Sequence, residues 1–151
     1  MKNLYIGIDP DVEESGFAIW NKTEKQFEVI TALPLGKLLD AIITKRAGIA
    51  LVVVEAGWLN TGNRHLYRKK ITKPVKDPLA FAAKTGENTG RNHQRGMDIV
   101  ELLEWLEIPY KLQQPSSRNI WKDSEPNFKK ITGVRGGNPE KRDAAMLVFQ
   151  I

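Results

Sequence analysis

The chain reads as an α/β domain running three strands, helix, strand, helix, strand, helix, with the first three strands forming an antiparallel meander. Three observations predict this. Leu4-Tyr5-Ile6-Gly7-Ile8 and Ile49-Ala50-Leu51-Val52-Val53-Val54 are apolar runs too short for helices. Between them, Leu35, Leu38, Leu39, Ile42 and Ile43 recur at helical spacing. Near the end, Gly136-Gly137-Asn138-Pro139 breaks the chain and then starts a helix, with Asn138 as cap and Pro139 at the first helical position.

Leu4 to Asp9 is apolar enough for a central strand. Asp11 to Gly16 is a turn in which Gly16 supplies backbone freedom. Gly16 to Asn21 and Gln26 to Thr31 follow as strands two and three. Pro34 opens a helix through about Lys45, which Gly48 ends. Ile49 to Glu55, rich in β-branched residues, fits a strand buried on both faces. Gly57 to about Thr85 has little apolar periodicity and many charges, and a loop that long points to a functional segment. A helix is expected from about Asn88 to Glu107, with Met97, Val100, Leu103 and Trp105 toward the core and Gly90 and Gly96 permitting close packing. Pro109 to Gln113 gives a fifth strand. Pro115 to Gly137 is polar and irregular, with a short helix near Asn127 to Ile131. The last helix is expected to run to the C-terminus.

The 151 residues suit one domain with a real core. With 41% hydrophobic and 27% charged residues, the composition is that of a soluble globular protein. No apolar run is long enough to span a membrane, and Met1-Lys2-Asn3-Leu4 shows no secretory pattern. A cytoplasmic location, extending to association with a nucleoid, is the expectation. The absence of cysteine excludes disulfides, thiolate zinc sites and cysteine nucleophiles. His65 and His93 have no second ligand at zinc spacing.

A net charge of +5 favours polyanionic partners, nucleic acid first. The charge is concentrated: Trp58 to Arg95 carries nine Lys or Arg residues against two acids, Asp77 and Glu87. Within that stretch, Arg64, Arg68, Lys69 and Lys70 are candidates for positioning phosphates without reading sequence.

Four acids lie outside the basic segment. Asp9 and Glu55 end apolar runs, where a carboxylate is hard to explain as ordinary surface. Glu140 and Asp143, at i and i+3, share one helix face just before Ala144-Ala145-Met146-Leu147-Val148. Strand ends at one sheet edge plus one helix face would gather all four around divalent cations. Magnesium prefers oxygen ligands, so carboxylates suffice. Two ions about 3.5–4 Å apart support in-line phosphodiester hydrolysis. Each acid also has a bland reading, such as Glu140 complementing the helix dipole. A nucleotide-binding hairpin after Asp9 is disfavoured because Asp11-Val12-Glu13-Glu14 would repel phosphate, and there is no Walker-type loop.

Taken in order, Gly7-Ile8-Asp9-Pro10 with Gly16 downstream, Val53-Val54-Glu55, Gly90 to Gly96, and Glu140-Lys141-Arg142-Asp143-Ala144-Ala145 resemble the RuvC-type Holliday junction resolvases. These belong to the ribonuclease H-like, retroviral-integrase superfamily. The resemblance implies a mixed five-stranded sheet, three antiparallel strands then two parallel, flanked by helices in a single domain. It implies that Asp9, Glu55, Glu140 and Asp143 are catalytic and hold two Mg²⁺ ions per active site, with Mn²⁺ as a substitute. It also implies a homodimer that nicks opposed strands of a four-way DNA junction. Trp58 falls where the family has a base-stacking aromatic, against a core or dimer-interface role. Arg118, Lys122, Lys129 and Lys130 fall where basic residues meet phosphates near the scissile bond, against a solvated loop. Three departures stand out: Asp11 replaces the usual glycine, Glu140 the more usual aspartate, and the Gly57–Thr85 segment is longer and more basic than the family's bacterial form. A nuclease for structured RNA or flaps, and a non-catalytic nucleic-acid-binding module, remain as alternatives.

Overall fold

The computed structural model describes residues 1–60, 76–117 and 119–151. Five strands form one sheet: β1 (Leu4–Asp9), β2 (Ser15–Asn21), β3 (Gln26–Leu33), β4 (Ile49–Glu55) and β5 (Tyr110–Gln113), in the order β3-β2-β1-β4-β5. The first three pair antiparallel, and β4 and β5 add in parallel. The helices are α1 (Leu35–Lys45), α2 (Pro78–Trp105), α3 (Glu125–Thr132) and α4 (Pro139–Met146). Short 3-10 turns at Arg46–Gly48 and Gly57–Leu59 flank β4.

Strand alternation divides the core between the two sheet faces. Ile6, Ile8, Phe17, Ile19, Val52 and Val54 pack with Leu38 and Ile42 of α1 and Ile99 and Leu103 of α2. On the other face, Ala18 meets Phe128 of α3 and Ala144 and Ala145 of α4. Trp20 and Val53 there pack with Leu147 and Val148. Helices thus cover both faces, and the central strands β1 and β4 are enclosed.

Two glycines set how closely α4 lies on the sheet. A Cβ added to Gly7 would stand 1.9 Å from the Ala144 carbonyl oxygen, and one added to Gly16 would stand 2.1 Å from that of Glu140. Only bare backbone fits under this helix. Gly16 therefore works as clearance inside β2, where it pairs with Asp9, and not as a turn residue.

Several sequence expectations are corrected. Helix α2 starts at Pro78, about ten residues early, because Asp77 caps it by accepting from the backbone N–H groups of Leu79 and Ala80. Met97 and Trp105 are exposed, and Ile99 with Leu103 supplies the buried face. Gly96 does allow close packing, whereas none of the described residues lies near Gly90. Ile43 of α1 is half exposed. The last helix ends at Met146, and the chain continues in turns.

Candidate metal centre

Parallel pairing aligns Ile8 of β1 with Val54 of β4, so the next residues, Asp9 and Glu55, leave the same sheet edge side by side. Ile8 and Val54 face α1 and α2, so by alternation the two carboxylates belong to the face that carries α4. Clearance over Gly7 and Gly16 then brings Asp143 down to them. Asp9, Glu55 and Asp143 offer carboxylate oxygens that all lie within 4.8 Å of one another. Asp143 is buried at 4% exposure. Glu140, one turn earlier, is half buried and outside this group, although its charge reaches Asp9.

Crowded, desolvated carboxylates resist ionisation. Burial holds Asp9 well above the usual carboxylate range, reinforced by the charges of Glu55, Asp143 and Glu140 and opposed by Lys122. Burial, then repulsion from Asp143, pushes Glu55 up to about 7, again opposed by Lys122. Asp143 Oδ1 accepts from Trp121 Nε1 at 3.2 Å. Among the described residues, its buried Oδ2 makes no hydrogen bond of ordinary geometry, and it faces the Lys122 ammonium at 2.5 Å. Burial alone would lower the Lys122 pKa, but the carboxylates of Asp143, Asp9 and Glu55 outweigh it and hold it above the usual lysine range.

Lys122 and Trp121 are strapped down by Arg142, the neighbour of Asp143 on α4. Arg142 is buried and donates through Nε to the Lys122 carbonyl at 2.9 Å, with Nη2 reaching the same oxygen. Its Nη1 pairs with Glu125 at 3.1 Å and also meets the Gly137 carbonyl. Glu125 in turn accepts from the backbone N–H groups of Gly136 and Gly137. One guanidinium thus anchors the 119–137 stretch, α3 and the turns on either side of it, beside the acids. Sequence reasoning missed Arg142 and Trp121; an arginine beside Ala144-Ala145 in a buried helical turn was the available signal.

A cleft of about 230 Å³ opens onto Asp9, Glu55 and Lys122, walled by Trp58 and by Thr89, Asn92 and His93 of α2. A second cavity, about 180 Å³, reaches Glu55 and Asp143 from the β5 side. Trp58 is half buried; its ring lies over Gly96, where an added Cβ would come within 2.3 Å, and it also borders the cleft. Asp11 accepts from the Glu13 N–H and from Asn92 Nδ2. With Asn92 also accepting from the Val12 N–H and Arg95 donating to the Val12 carbonyl, it ties the turn after β1 to α2.

Of the basic candidates, Lys122 lies within the acid cluster. Lys129 is exposed on α3. Lys130 lines a different groove, with Trp20, Phe27 and Phe149. Arg64, Arg68, Lys69, Lys70 and Arg118 lie outside the described residues.

The donor set suits a hard divalent cation. Three carboxylates, no nitrogen or sulfur among the clustered ligand atoms, and a buried oxygen without a hydrogen bond match what Mg²⁺ or Mn²⁺ takes up.

No protein-family model matches the chain, and neither does any curated protein. Among solved structures, the chain is similar to T. thermophilus RuvC in complex with a Holliday junction substrate. The TM-score is 0.59 at 11% identity, covering 97% of this chain and 91% of that one. The fold is therefore ribonuclease H-like, with the mixed sheet and flanking helices in the same arrangement. Among the described residues, no helix is long and apolar enough to cross a membrane.

Proposed function

We propose that the chain is a divalent-metal-dependent, structure-selective DNA endonuclease that resolves four-way junctions by paired symmetric nicks, working as a homodimer. The observation that carries this reading is the clustered trio Asp9, Glu55 and Asp143, the first two half-buried and the third buried, on a fold shared with a RuvC whose solved complex holds a Holliday junction. The basic balance of the chain supports a nucleic-acid substrate.

In this reading Asp9, Glu55 and Asp143 hold two Mg²⁺ ions, which Mn²⁺ can replace, and Glu140 contributes from the margin. Bound divalent ions supply Lewis-acid stabilisation of charge at the attacking and leaving oxygens of a phosphodiester. The protein's own part is placement. β1 and β4 fix two carboxylates on one rigid edge, and α4 adds the third. The cleft between that edge and α2 receives the sugar–phosphate backbone, with Trp58 at its wall for base stacking. Lys122 offers positive charge to the phosphate. Arg64, Arg68, Lys69, Lys70, Arg118, Lys129 and Lys130 are proposed to hold flanking phosphates.

The test is cleavage of a labelled four-way DNA junction with Mg²⁺, with EDTA and with Asp9→Asn, against linear duplex and structured RNA. Paired symmetric nicks that need both metal and Asp9 are expected, with Asp9→Asn falling to the EDTA background while still binding the junction. Tight binding without metal-dependent turnover would replace the enzyme by a binding module. Preferred cutting of RNA would keep the chemistry and change the substrate.

A further inference from the structure

The acid cluster already contains a cation of its own. The Lys122 ammonium lies 2.5 Å from Asp143 Oδ2, and its charge acts on Asp9 and Glu55 as well. It is not a passing surface lysine. Its backbone carbonyl is gripped by the buried Arg142, its neighbour Trp121 donates to the other oxygen of Asp143, and its side chain is only one-third exposed. Among the described residues, the oxygen it faces has no hydrogen-bond partner of ordinary geometry. A hard cation seeks the same oxygen.

We propose that Lys122 is a resident counter-cation: in the metal-free protein its ammonium neutralises Asp9, Glu55 and Asp143, and a divalent ion must displace it from Asp143. This rests on the metal-centre reading above. Three carboxylates this close together repel in a partly desolvated site, and one ammonium relieves part of that repulsion. Mg²⁺ and ammonium compete because both need the same charged oxygen. Displacement requires no refolding, since Arg142 holds the main chain of residue 122 while four methylenes let the head group swing into the cleft. The freed ammonium then faces the cleft that would receive a phosphodiester, so metal loading delivers a positive charge to the substrate side. Metal binding and phosphate binding become coupled, each favouring the other.

The experiment is calorimetric titration of Mn²⁺ into the full chain and into Lys122→Met and Lys122→Arg at about pH 8. The Nζ and Cε resonances of lysine in the unaltered chain are followed in parallel as Mg²⁺ is added. Lys122→Met is expected to bind Mn²⁺ about tenfold more tightly, the factor set by losing one competing, partly exposed ion pair. Lys122→Arg should stay close to the unaltered chain. The Lys122 resonances should move to solvent-exposed positions as Mg²⁺ saturates, and this reading survives even if Lys122→Met does not fold. Unchanged Lys122 resonances during saturable metal binding, or equal affinity in a folded Lys122→Met, would overturn the counter-cation while leaving the metal centre intact. No metal binding by any of the three proteins would sink the metal centre and this proposal together.

Discussion

At the scale of single residues, the three clustered carboxylates do different work. Glu55 is ionised above about pH 7 only against burial and the charge of Asp143. Glu55→Gln is therefore expected to stabilise the metal-free protein by about 1–3 kcal/mol at pH 8 while weakening metal binding. Urea denaturation in EDTA checks the first effect and calorimetry the second. Asp143 behaves oppositely, because it is the acceptor for Trp121 and the partner of Lys122. Asp143→Ala should cost about 1–2 kcal/mol, reduced from a fully buried pair because Lys122 can turn to solvent. Equal signs for the two variants would show that the cluster is not organised around Lys122. The sequence made these acids visible because each ends or adjoins an apolar run. It could not reveal the cation among them: Lys122 sits in a polar stretch without periodicity, and only the distant Arg142 explains why it is held there.

At the scale of elements, the decisive contact is α4 against β1 and β2. The positions of Asp143 and of the Glu140 backbone depend on two missing side chains, at Gly7 and Gly16. Gly7→Ala drives a methyl into a backbone carbonyl that has no room to yield, and is expected to cost about 3 kcal/mol or more and to disrupt metal binding. Gly90→Ala, in the interior of α2 with none of the described residues near it, should instead stabilise by about 0.5–1 kcal/mol. Thermal unfolding of the two variants side by side distinguishes packing glycines from incidental ones. Strand number, order and most boundaries were legible, since β1, β4 and α1 carry pure periodic patterns. The start of α2 was not, although Asp77-Pro78 has the same cap-then-proline form that correctly placed α4. Its first turns are exposed, with Leu79 at 84%, so no apolar face marked them. Met97 and Trp105 misled for the complementary reason: they have the right chemistry for a core on the wrong side of the helix.

At the scale of the whole molecule, a basic chain that gathers acids in one partly buried place carries its own pH dependence. In the metal-free protein Glu55 titrates near 7, above its ordinary value of 4.5, and Asp9 is raised as well. A carboxyl whose folded pKa is raised favours the folded state while protonated. Its contribution is complete below the unfolded value and is lost as pH climbs through the folded one. Glu55 alone accounts for on the order of 3 kcal/mol lost between about pH 4.5 and 8, at roughly 1.4 kcal/mol for each pH unit separating its folded and unfolded pKa. Glu125 works in the other direction. Although burial raises its pKa, the N–H groups of Gly136 and Gly137 and the charge of Arg142 outweigh that and lower it. Its share is present above about pH 4.5 and fades below, as the Arg142 strap loosens. The metal-free chain should thus be most stable in mildly acid solution and weaken steadily toward pH 8. Divalent ions reverse the slope, because protons and metal compete for the same oxygens and affinity rises as Glu55 ionises. Denaturation midpoints measured from pH 5 to 8 in EDTA should fall, and those in saturating Mg²⁺ should hold or rise, so that the two curves diverge most above pH 7. Parallel curves would mean that the buried carboxylates are not where the ion binds, whatever the cleavage assay reports.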